Sequence, residues 1–479
     1  MKLFTFKGGA HPEEGKALSE GCAIEALSFS GDFVFPMSQH IGAPAKPVVE
    51  KGDRVLCGQK LGEAGGFISA DVLSSVSGTV KAVEPRMQTS GFPVLSVVVE
   101  NDGLYETLPG IGTRRDYHTL SKDEIRQAVR DAGIVGMGGA GFPTAVKLAP
   151  KNDLAIDYFI ANGSECEPFL TSDYRMMLEE AERIVGGLEI CLSLFPNAKG
   201  VIAIEDNKPE AIAHMRDAVK HHERIEVAQL KTKYPEGGER QLINAVTGRY
   251  ITSSMLPADA GCIVDNVATL AAIYDAVEKS TPLMEKVITI TGDAVARPAN
   301  VKIRLGASYK AVLEAVGGFR TEQPGKVLCG GPMMGQALFE LDCPVTKPSS
   351  ALCAFVHDEV AENPTTACIR CGRCVEACPE FLVPPMMLKA AVHGDLERFE
   401  ELNGMECMEC GSCSYVCPAR RPLTQAFKQA RRMVMADRKI KAAEEKLRKE
   451  HEAAAKEEAE KHADTIAQAR AARDKEEER

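Results

Sequence analysis

Two matching runs of cysteine carry the clearest chemistry in this sequence. The first run is CIRCGRCVEACP, from Cys368 to Pro379, and the second run is CMECGSCSYVCP, from Cys407 to Pro418. Both have the spacing C-x2-C-x2-C-x3-C-P, which is typical of bacterial domains that bind two 4Fe–4S clusters. In such domains three cysteines of a run bind one cluster and the fourth binds the other. The runs therefore predict two iron–sulfur clusters that carry single electrons.

The crossed arrangement assigns every cysteine of the two runs to a cluster. The expected ligands of cluster 1 are Cys368, Cys371, Cys374 and Cys417. The expected ligands of cluster 2 are Cys407, Cys410, Cys413 and Cys378. Zinc is the alternative, because C-x2-C pairs also build zinc sites. A zinc ion takes only four ligands and does not account for the third cysteine of each run, so the iron–sulfur interpretation is favoured.

Composition and charge narrow the class of protein. The chain has 479 residues, and its 57 Lys and Arg against 68 Asp and Glu give a net charge of −11. Nucleic-acid-binding proteins usually have a basic excess, so no nucleic acid is expected as a partner. No apolar run approaches the roughly 18 residues of a membrane span, and the N-terminus lacks the apolar core of a signal peptide. The sequence therefore predicts neither a secreted nor an integral membrane protein.

The first segment of the chain, residues 1–110, is rich in Gly, Pro and Val, and short apolar stretches alternate with turns. This texture predicts an all-β domain, with short strands in VVEKGDRVLCGQKLGEA and SSVSGTVKAVEP. The two stretches resemble barrel-sandwich domains that carry biotin or lipoate on a lysine. The stretch between them, FISADVLSSV, has no lysine, so a structural role is favoured over a carrier role.

Helical and short apolar segments alternate over residues 111–280, which predicts an α/β domain. Ser121 followed by Glu124 is the signature of a capping box at the start of a helix, and Gly133 is expected to end that helix. An amphipathic stretch from Ser172 to Phe195 predicts a further helix.

Three segments complete the chain. Residues 281–345 have short strands around one helix and predict a β-grasp-like module, and residues 360–425 hold the two cysteine runs. Residues 426–479 are rich in Ala, Glu, Lys and Arg. They predict a charged helical tail, either solvated and partly disordered or in contact with a partner.

Two segments of the α/β domain have residue types that suit a ligand. The glycine loop, residues 136–141, leaves the backbone bare so that a phosphate can approach its N–H groups. The acidic turn NGSECEP, residues 162–168, follows an apolar strand, and α/β proteins bind ligands at strand ends. A tight strand–helix connection and an ordinary surface turn are the alternatives. Because clusters carry one electron and nicotinamides exchange two, a flavin is the expected converter.

These motifs resemble known families. GMGGAGFPTAVK followed by NGSECEP resembles the flavin- and NADH-binding subunit of respiratory complex I. The order of the segments, with FKGGAHP, HIGAPAKPVVEKGD and the twin cysteine runs, resembles the RnfC subunit of Rnf ferredoxin:NAD+ oxidoreductases over essentially the whole chain. The resemblance implies a multidomain α/β and β fold. Its parts are a barrel-sandwich hybrid, a complex I-like flavin domain, an SLBB-like β-grasp module, a two-cluster ferredoxin domain and a helical tail.

The resemblance also implies a binding role for particular residues. The implied FMN contacts are Gly136, Gly138, Gly139, Ala140, Lys147, Asn162, Glu165, Asn266 and Thr269. The implied NADH contacts are Phe142, Glu167 and Glu239. Three positions differ from the complex I residues: Met137 replaces Arg, Ser164 replaces Asp, and Asp265 replaces Asn.

As an RnfC-like chain, the protein is expected to be an electron-transfer subunit of an ion-translocating ferredoxin:NAD+ oxidoreductase. The implied cofactors are FMN and two 4Fe–4S clusters, with NAD(H) as substrate. The implied partners are other Rnf subunits, including integral membrane subunits and a ferredoxin-like iron–sulfur subunit, with ferredoxin acting indirectly. The implied location is peripheral, on the cytoplasmic side of the inner membrane, where partners move Na+ or H+. A soluble NADH-dependent cobalamin reductase and a non-enzymatic cluster scaffold are the alternatives.

Overall fold

The computed structural model describes residues 3–477 of the chain. The N-terminal module is all-β, as predicted, with two antiparallel sheets in the strand orders β2-β8-β7-β4 and β3-β5-β6. Alternate residues of these strands are apolar, so Phe33, Val97, Leu61 and Val72 from both sheets share one core. The strands are β1 (Ile24–Ala26), β2 (Gly31–Pro36), β3 (Lys46–Pro47), β4 (Arg54–Val55), β5 (Lys60–Glu63), β6 (Val72–Leu73), β7 (Gly78–Met87) and β8 (Pro93–Asn101).

The second module is the predicted α/β domain, in which helices cover a parallel sheet of order β11-β10-β9-β12. Its strands are near-continuous apolar runs because both faces of the sheet are covered. The strands are β9 (Tyr158–Asn162), β10 (Lys199–Glu205), β11 (Ile225–Leu230) and β12 (Cys262–Asn266). The helices are α1 (Lys122–Asp131), α2 (Thr144–Lys147), α3 (Ser172–Glu179), α4 (Ala181–Leu194), α5 (Pro209–Ala218), α6 (Glu239–Thr247) and α7 (Val267–Glu278).

Local signals in the sequence set the first helix of this module. Both hydrogen bonds of the predicted capping box between Ser121 and Glu124 are present, and Gly133 follows α1 in the left-handed region at φ 63°. The stretch predicted as one helix between Ser172 and Phe195 is instead two helices. The chain breaks at Glu180, which leaves the helical region at φ −129°.

The third module is a sheet of order β1-β14-β13-β17-β15-β16 with one helix, as expected for the β-grasp-like segment. Its edge strand is β1, which comes from the N-terminal segment and pairs in parallel with β14. The module also shares a core with the N-terminal sandwich, where Ile288, Ile290 and Tyr309 pack with Phe33 and Phe35. The elements are β13 (Glu285–Thr291), β14 (Ala299–Arg304), α8 (Tyr309–Ala315), β15 (Lys326–Cys329), β16 (Gln336–Ala337) and β17 (Ala351–Phe355).

The described residues form two compact units. The first unit comprises residues 3–381 and 410–421 and includes the three modules above. The second unit comprises residues 382–409 and 422–477. The helices of the C-terminal region are α9 (Glu359–Glu362), α10 (Arg373–Glu376), α11 (Pro384–Val392), α12 (Leu396–Glu401), α13 (Ser412–Tyr415) and α14 (Leu423–Glu477).

In the second unit, α11 and α12 pack on the start of α14 and bury Phe399, Phe427 and Val434. Residues 438–475 are all exposed, because the sequence beyond this core has no apolar face to bury. The predicted charged tail is therefore helical, and Glu478 and Arg479 lie outside the described residues. Between residues 3 and 477 no helix is both long and apolar enough to cross a membrane.

Gly187 allows α4 and α7 to pack closely, because a Cβ at this position would lie 2.6 Å from the carbonyl carbon of Leu270. We expect Gly187→Ala to lower the free energy of unfolding by about 1–3 kcal/mol, although alanine favours helix formation. Denaturant unfolding of the full chain measures this. The matched control is Gly186→Ala, where the obstacle is the Tyr274 ring rather than backbone. Equal stability losses in the two variants would contradict the packing argument.

Candidate functional site

The carboxyl ends of β9 and β12 form the centre of the site. The chain runs from β9 outward to β10 and β11 and then returns to the other side of β9 to form β12. The strand order therefore reverses between β9 and β12, and open parallel α/β sheets bind ligands at the carboxyl end of such a point. The last residues of the two strands, Asn162 and Asn266, lie side by side in register. The structure thus brings together two residues predicted to contact FMN.

The side-chain amides of these two asparagines are held by their surroundings. Asn266 accepts a hydrogen bond from the Ala268 N–H at 2.8 Å, which caps α7, and its Nδ2 donates to Asp173 Oδ2 at 2.7 Å. Asn162 Nδ2 donates to the Gly237 carbonyl at 2.9 Å. Both side chains are therefore oriented before any ligand binds.

The glycine loop lies directly against Asn266. The Gly136 N–H donates to the Phe142 carbonyl at 2.8 Å and closes the loop as a hairpin. Gly138 has φ +93°, and a Cβ there would lie 3.0 Å from Asn266 Nδ2. Thr269 Oγ1 accepts a hydrogen bond from the Met137 N–H at 2.9 Å, so this predicted FMN residue holds the loop in place.

The glycine loop also has the properties of an anion cradle. Residues 138–140 are exposed, and a Cβ at Gly139 would meet nothing within 4 Å. Among residues 3–477 no group accepts a hydrogen bond from the N–H groups of Gly138, Gly139 or Ala140. Unpaired backbone donors that face open space suit a phosphate, so this part of the chain fits the phosphate end of FMN.

The acidic turn is shaped by Glu165. This residue adopts the left-handed conformation at φ 49°, which directs its carboxylate back to the start of α3. Its oxygens accept hydrogen bonds from the N–H groups of Asp173 at 2.7 Å and Tyr174 at 3.2 Å. The carboxylate thus caps α3 where the helix dipole favours negative charge. Glu165 lies at the predicted site, but its side chain is engaged by the helix.

Asp173 joins the site although the sequence did not single it out. It is the second residue of α3 and accepts a hydrogen bond from Asn266. Burial, with the nearby charge of Glu165, raises the pKa of the Asp173 carboxyl to about 7. A buried carboxyl of this kind holds a proton near neutral pH.

Lys16 holds the acidic turn from the N-terminal segment. Its buried Nζ donates to three carbonyl oxygens, those of Glu165 (2.9 Å), Glu167 (3.1 Å) and Leu170 (2.6 Å). Burial lowers the pKa of the Lys16 ammonium, although the charge of Glu165 acts in the opposite direction. No local signal in the sequence indicates this role, because the contacts join segments about 150 residues apart.

Lys147 and Glu239, assigned to FMN and NADH respectively, form an ion pair. Lys147 Nζ lies 3.6 Å from Glu239 and 3.2 Å from the buried Asp265, and it donates to the Val264 carbonyl at 2.6 Å. Burial lowers the pKa of Lys147, but the two carboxylates outweigh this effect and the pKa is raised overall. A phosphate in the glycine loop must therefore share this ammonium with two carboxylates.

Glu167 connects the acidic turn to the third module. Its Oε1 accepts hydrogen bonds from the N–H groups of Met333 at 2.7 Å and Met334 at 3.0 Å. Burial raises the pKa of the carboxyl, and the two N–H donors act in the opposite direction. The predicted NADH residue therefore anchors the loop at residues 330–335, and Phe142 lies half-buried at the end of the glycine loop.

The cysteines of cluster 1 all belong to the first unit. The helices α10 and α13 that follow the two cysteine loops pack together, and the Thr366 N–H donates to the Ala419 carbonyl at 3.1 Å. Burial raises the pKa of Cys374, and the neighbouring charge of Cys417 adds to this effect. The structure therefore brings the fourth cysteine of the second run close to the first run, in keeping with crossed ligation.

Three assigned ligands of cluster 2, Cys378, Cys410 and Cys413, belong to the first unit, and Cys407 belongs to the second. Within residues 3–477 no three His, Cys, Asp or Glu side chains are placed to hold one single metal ion. A 4Fe–4S cube does not need such a point, because each thiolate binds its own iron. An all-thiolate set with this spacing fits 4Fe–4S clusters.

Comparison with protein families matches each segment of the chain. A barrel-sandwich hybrid domain of RnfC matches residues 4–104, and the FMN-binding domain of Nuo51 matches residues 129–275. An SLBB domain matches residues 287–337, and a 4Fe-4S dicluster domain matches residues 360–443. These matches confirm the predicted fold class and the FMN and iron–sulfur cofactors.

Relatives along most of the chain show its family. The RnfC-type component of the Na(+)-translocating ferredoxin:NAD(+) oxidoreductase complex of Acetobacterium woodii is 44% identical over 442 residues, 92% of this chain and 99% of that protein. The counterpart from the proton-translocating complex of Clostridium ljungdahlii is 43% identical over 425 residues, 88% of this chain and 92% of that protein. The chain belongs to the RnfC family.

Membership in the RnfC family confirms the prediction made from the cysteine runs, the glycine loop and the acidic turn. A chain of an NAD+-reducing [NiFe]-hydrogenase also aligns with this RnfC-family structure, with a TM-score of 0.48 and 20% identity over 67% of this chain and 62% of that one. The role of each site residue and the boundaries of the domains remain predictions.

The glycine loop gives the first prediction for the RnfC-family site. Gly138→Val places a β-branched residue at φ +93° and against Asn266, so we expect FMN binding to fall at least about tenfold. FMN content and flavin fluorescence measure the loss. Dithionite should still reduce both clusters. The control is Gly103→Val, which imposes the same strain at φ +73° in an open loop. Full FMN content in Gly138→Val would remove the loop from the site.

The buried carboxyl of Asp173 predicts a pH dependence. With a pKa of about 7 when folded and about 3.9 when unfolded, it binds its proton more tightly in the folded state, so its contribution to stability falls as pH rises between these values. Asp173→Asn removes this titration. We expect the variant to gain about 1 kcal/mol over the wild type per pH unit from about pH 5 to about pH 7. Urea unfolding at several pH values measures this.

The control for this titration is Asp131→Asn, an exposed carboxyl at the end of α1. A stability difference between Asp173→Asn and the wild type that does not change with pH would contradict the buried proton.

Proposed function

We propose that this chain is the peripheral electron-transfer subunit of an ion-translocating ferredoxin:NAD+ oxidoreductase. The observation that carries the proposal is the exposed glycine loop, which lies against Asn162 and Asn266 at the switch point of the parallel sheet. FMN, when bound, converts the two-electron exchange with NAD(H) into one-electron exchange with the clusters. The following roles concern the residues of this chain.

The FMN residues divide into those that face the ligand and those that hold the site. The N–H groups of Gly138, Gly139 and Ala140 donate to the phosphate, and Asn162 and Asn266 supply amides at the strand ends. Gly136 closes the hairpin, Thr269 holds the loop, and Glu165 fixes the acidic turn on α3. Lys147 balances Asp265 and Glu239 and adds positive charge near the phosphate.

The NADH residues line the other side of the same site. Phe142 offers an aromatic ring at the end of the glycine loop for stacking against a nicotinamide or an adenine. Glu239 begins α6 and holds Lys147. Glu167 acts through the loop at residues 330–335, whose backbone it binds, and so shapes the wall of the site.

The partners follow from the relatives, which are named as subunits of complexes that translocate protons or Na+. We propose that integral membrane subunits and a ferredoxin-like iron–sulfur subunit bind this chain on the cytoplasmic side of the inner membrane. The clusters exchange electrons with that iron–sulfur subunit and through it with ferredoxin. The two relatives differ in the ion they move, which assigns the choice of ion to the membrane partners.

The function is tested with full-length protein reconstituted anaerobically with iron, sulfide and FMN. We expect NADH to bleach the flavin absorbance and then produce the EPR signals of reduced clusters. In protein prepared without FMN, NADH should leave the clusters oxidised and dithionite should still reduce them. Cluster reduction by NADH at the same rate without FMN would overturn the proposal, and reduction of cob(III)alamin at a comparable rate would favour a cobalamin reductase.

Crossed ligation gives a further prediction. Two complete clusters require about eight irons per chain. Cys378→Ala should reduce this to about four and remove the EPR signal of cluster 2, because the fourth cysteine of the first run binds that cluster. Iron analysis and EPR of dithionite-reduced protein measure the change. The control is Cys22→Ala, outside both runs. Loss of cluster 1 with cluster 2 retained would show that the ligation is not crossed.

A further inference from the structure

The loops that hold Cys378 and Cys410 lie against the α/β module, whereas the first loop is open to solvent. The Gly9 N–H donates to the Ala377 carbonyl at 2.9 Å, and a Cβ at Gly8 would lie 2.8 Å from the Cys378 carbonyl oxygen. In contrast, Cys368 and Cys371 are exposed. Cluster 2 therefore has its ligands on the side of the nucleotide site.

A second pair of contacts joins the same region to the α/β module. Glu380, two residues after Cys378, forms an ion pair with Arg240 at 3.2 Å and accepts a hydrogen bond from Gln241 at 2.7 Å. Both partners lie on α6, the helix that begins with Glu239. The end of the first run is thus attached to the helix that borders the proposed NADH site.

Tyr234 makes the most direct connection. Its hydroxyl donates to the Cys410 carbonyl at 2.6 Å, and the residue is 2% exposed. Its backbone is pinned by Ala10, which exchanges hydrogen bonds of 2.8 and 2.9 Å with it. The charge of Glu167 also acts on this phenol. The tyrosine thus stands between a residue of the acidic turn and the backbone of a cluster ligand.

We infer that Tyr234 is a positioning residue for cluster 2, and that cluster 2 is the cluster that exchanges electrons with the nucleotide site. The inference deepens the proposed function and rests on it. The juxtaposition that carries it is the buried phenol hydroxyl on the Cys410 carbonyl, within a loop that also meets Met333. A Cβ at Gly411 would lie 3.0 Å from the Met333 carbonyl oxygen.

The hydroxyl acts on the reduction equilibrium of the cluster. A phenol is protonated at neutral pH and directs the positive end of its O–H dipole towards its acceptor. Hydrogen bonds and dipoles around the cysteine ligands tune the potential of an iron–sulfur cluster. A donor that points at Cys410 favours the more negative, reduced cluster, so its removal makes cluster 2 harder to reduce.

The test is a redox titration of full-length Tyr234→Phe, with cluster EPR signals followed under dithionite. We expect the equilibrium constant for reduction of cluster 2 to fall three- to tenfold, where tenfold corresponds to about 59 mV for one electron. Cluster 1 should keep its potential. Cys371→Ala and Cys413→Ala, which each remove one cluster, assign the two EPR signals. Unchanged potentials for both clusters, or a shift of cluster 1, would overturn the inference.

The matched control is Tyr309→Phe, a second fully buried tyrosine whose hydroxyl contacts Cys329 in the third module. It should leave both potentials unchanged. Replacing Tyr234 by 3-fluorotyrosine keeps the ring and strengthens the donor, so cluster 2 should become easier to reduce. This opposite shift keeps the inference testable if the Phe variant folds poorly, and no shift in the fluorinated protein would contradict it.

These titrations separate the inference from the proposed function. Dithionite reduces the clusters without NADH or FMN, so the potentials are measured whether or not the flavin site works. A shifted cluster 2 that NADH cannot reduce in FMN-loaded wild-type protein would support the positioning role and overturn the proposed function. NADH-driven reduction in which cluster 1 is reduced before cluster 2 on rapid freezing would overturn the assigned order.

Discussion

The pairing of β9 with β12 is the constraint on which the candidate site depends. It places Asn162 beside Asn266 at the one point where the strand order of the parallel sheet reverses. Asn266 then caps α7, holds Asp173 at the start of α3 and limits the space beside Gly138. The glycine loop and the acidic turn, which are separate in sequence, meet only because these two strands are neighbours.

Buried lysines join the modules around this sheet. Lys347 Nζ donates to the carbonyls of Asp71 in the N-terminal sandwich and Gly133 in the α/β module, at 2.5 and 2.7 Å. Lys286 donates to the Lys347 carbonyl at 2.6 Å. Burial lowers the pKa of both ammonium groups to about 7. A buried ammonium without its carbonyl partners is strongly destabilised, so such contacts fix the modules against each other in one arrangement.

The same organisation relates the flavin-type site to the iron–sulfur region. The acidic turn is held by Lys16 on one side, and Glu167 extends from it to the loop of the third module. That loop meets Gly411 in the second cysteine run. Four segments that belong to different predicted domains therefore surround one continuous region of the first unit. A protein that passes electrons between a nucleotide and clusters needs such short connections, because electron transfer depends on fixed distances between the centres.

The sequence by itself determined the features whose chemistry is local. The spacing of the cysteine runs, the capping box at Ser121, the bare backbone of the glycine loop and the apolar-free tail all depend on neighbours within a few residues. These features were sufficient to predict the family, the order of the modules and the cofactors. They could not predict that Glu167 binds the Met333 loop, that Lys147 pairs with Asp265, or that the stretch after Ser172 breaks at Glu180.

Only the tertiary structure decided which distant residues complete the site. Lys16, Asp173 and Tyr234 are ordinary residue types in ordinary sequence surroundings, and their partners lie far away along the chain, as with Tyr234 and Cys410 across 176 positions. The addition of β1 to the sheet of the third module is of the same kind. The physical reason is that burial and charge act through space: a side chain acquires its protonation, orientation and partner from the groups packed around it, and sequence order does not contain that packing.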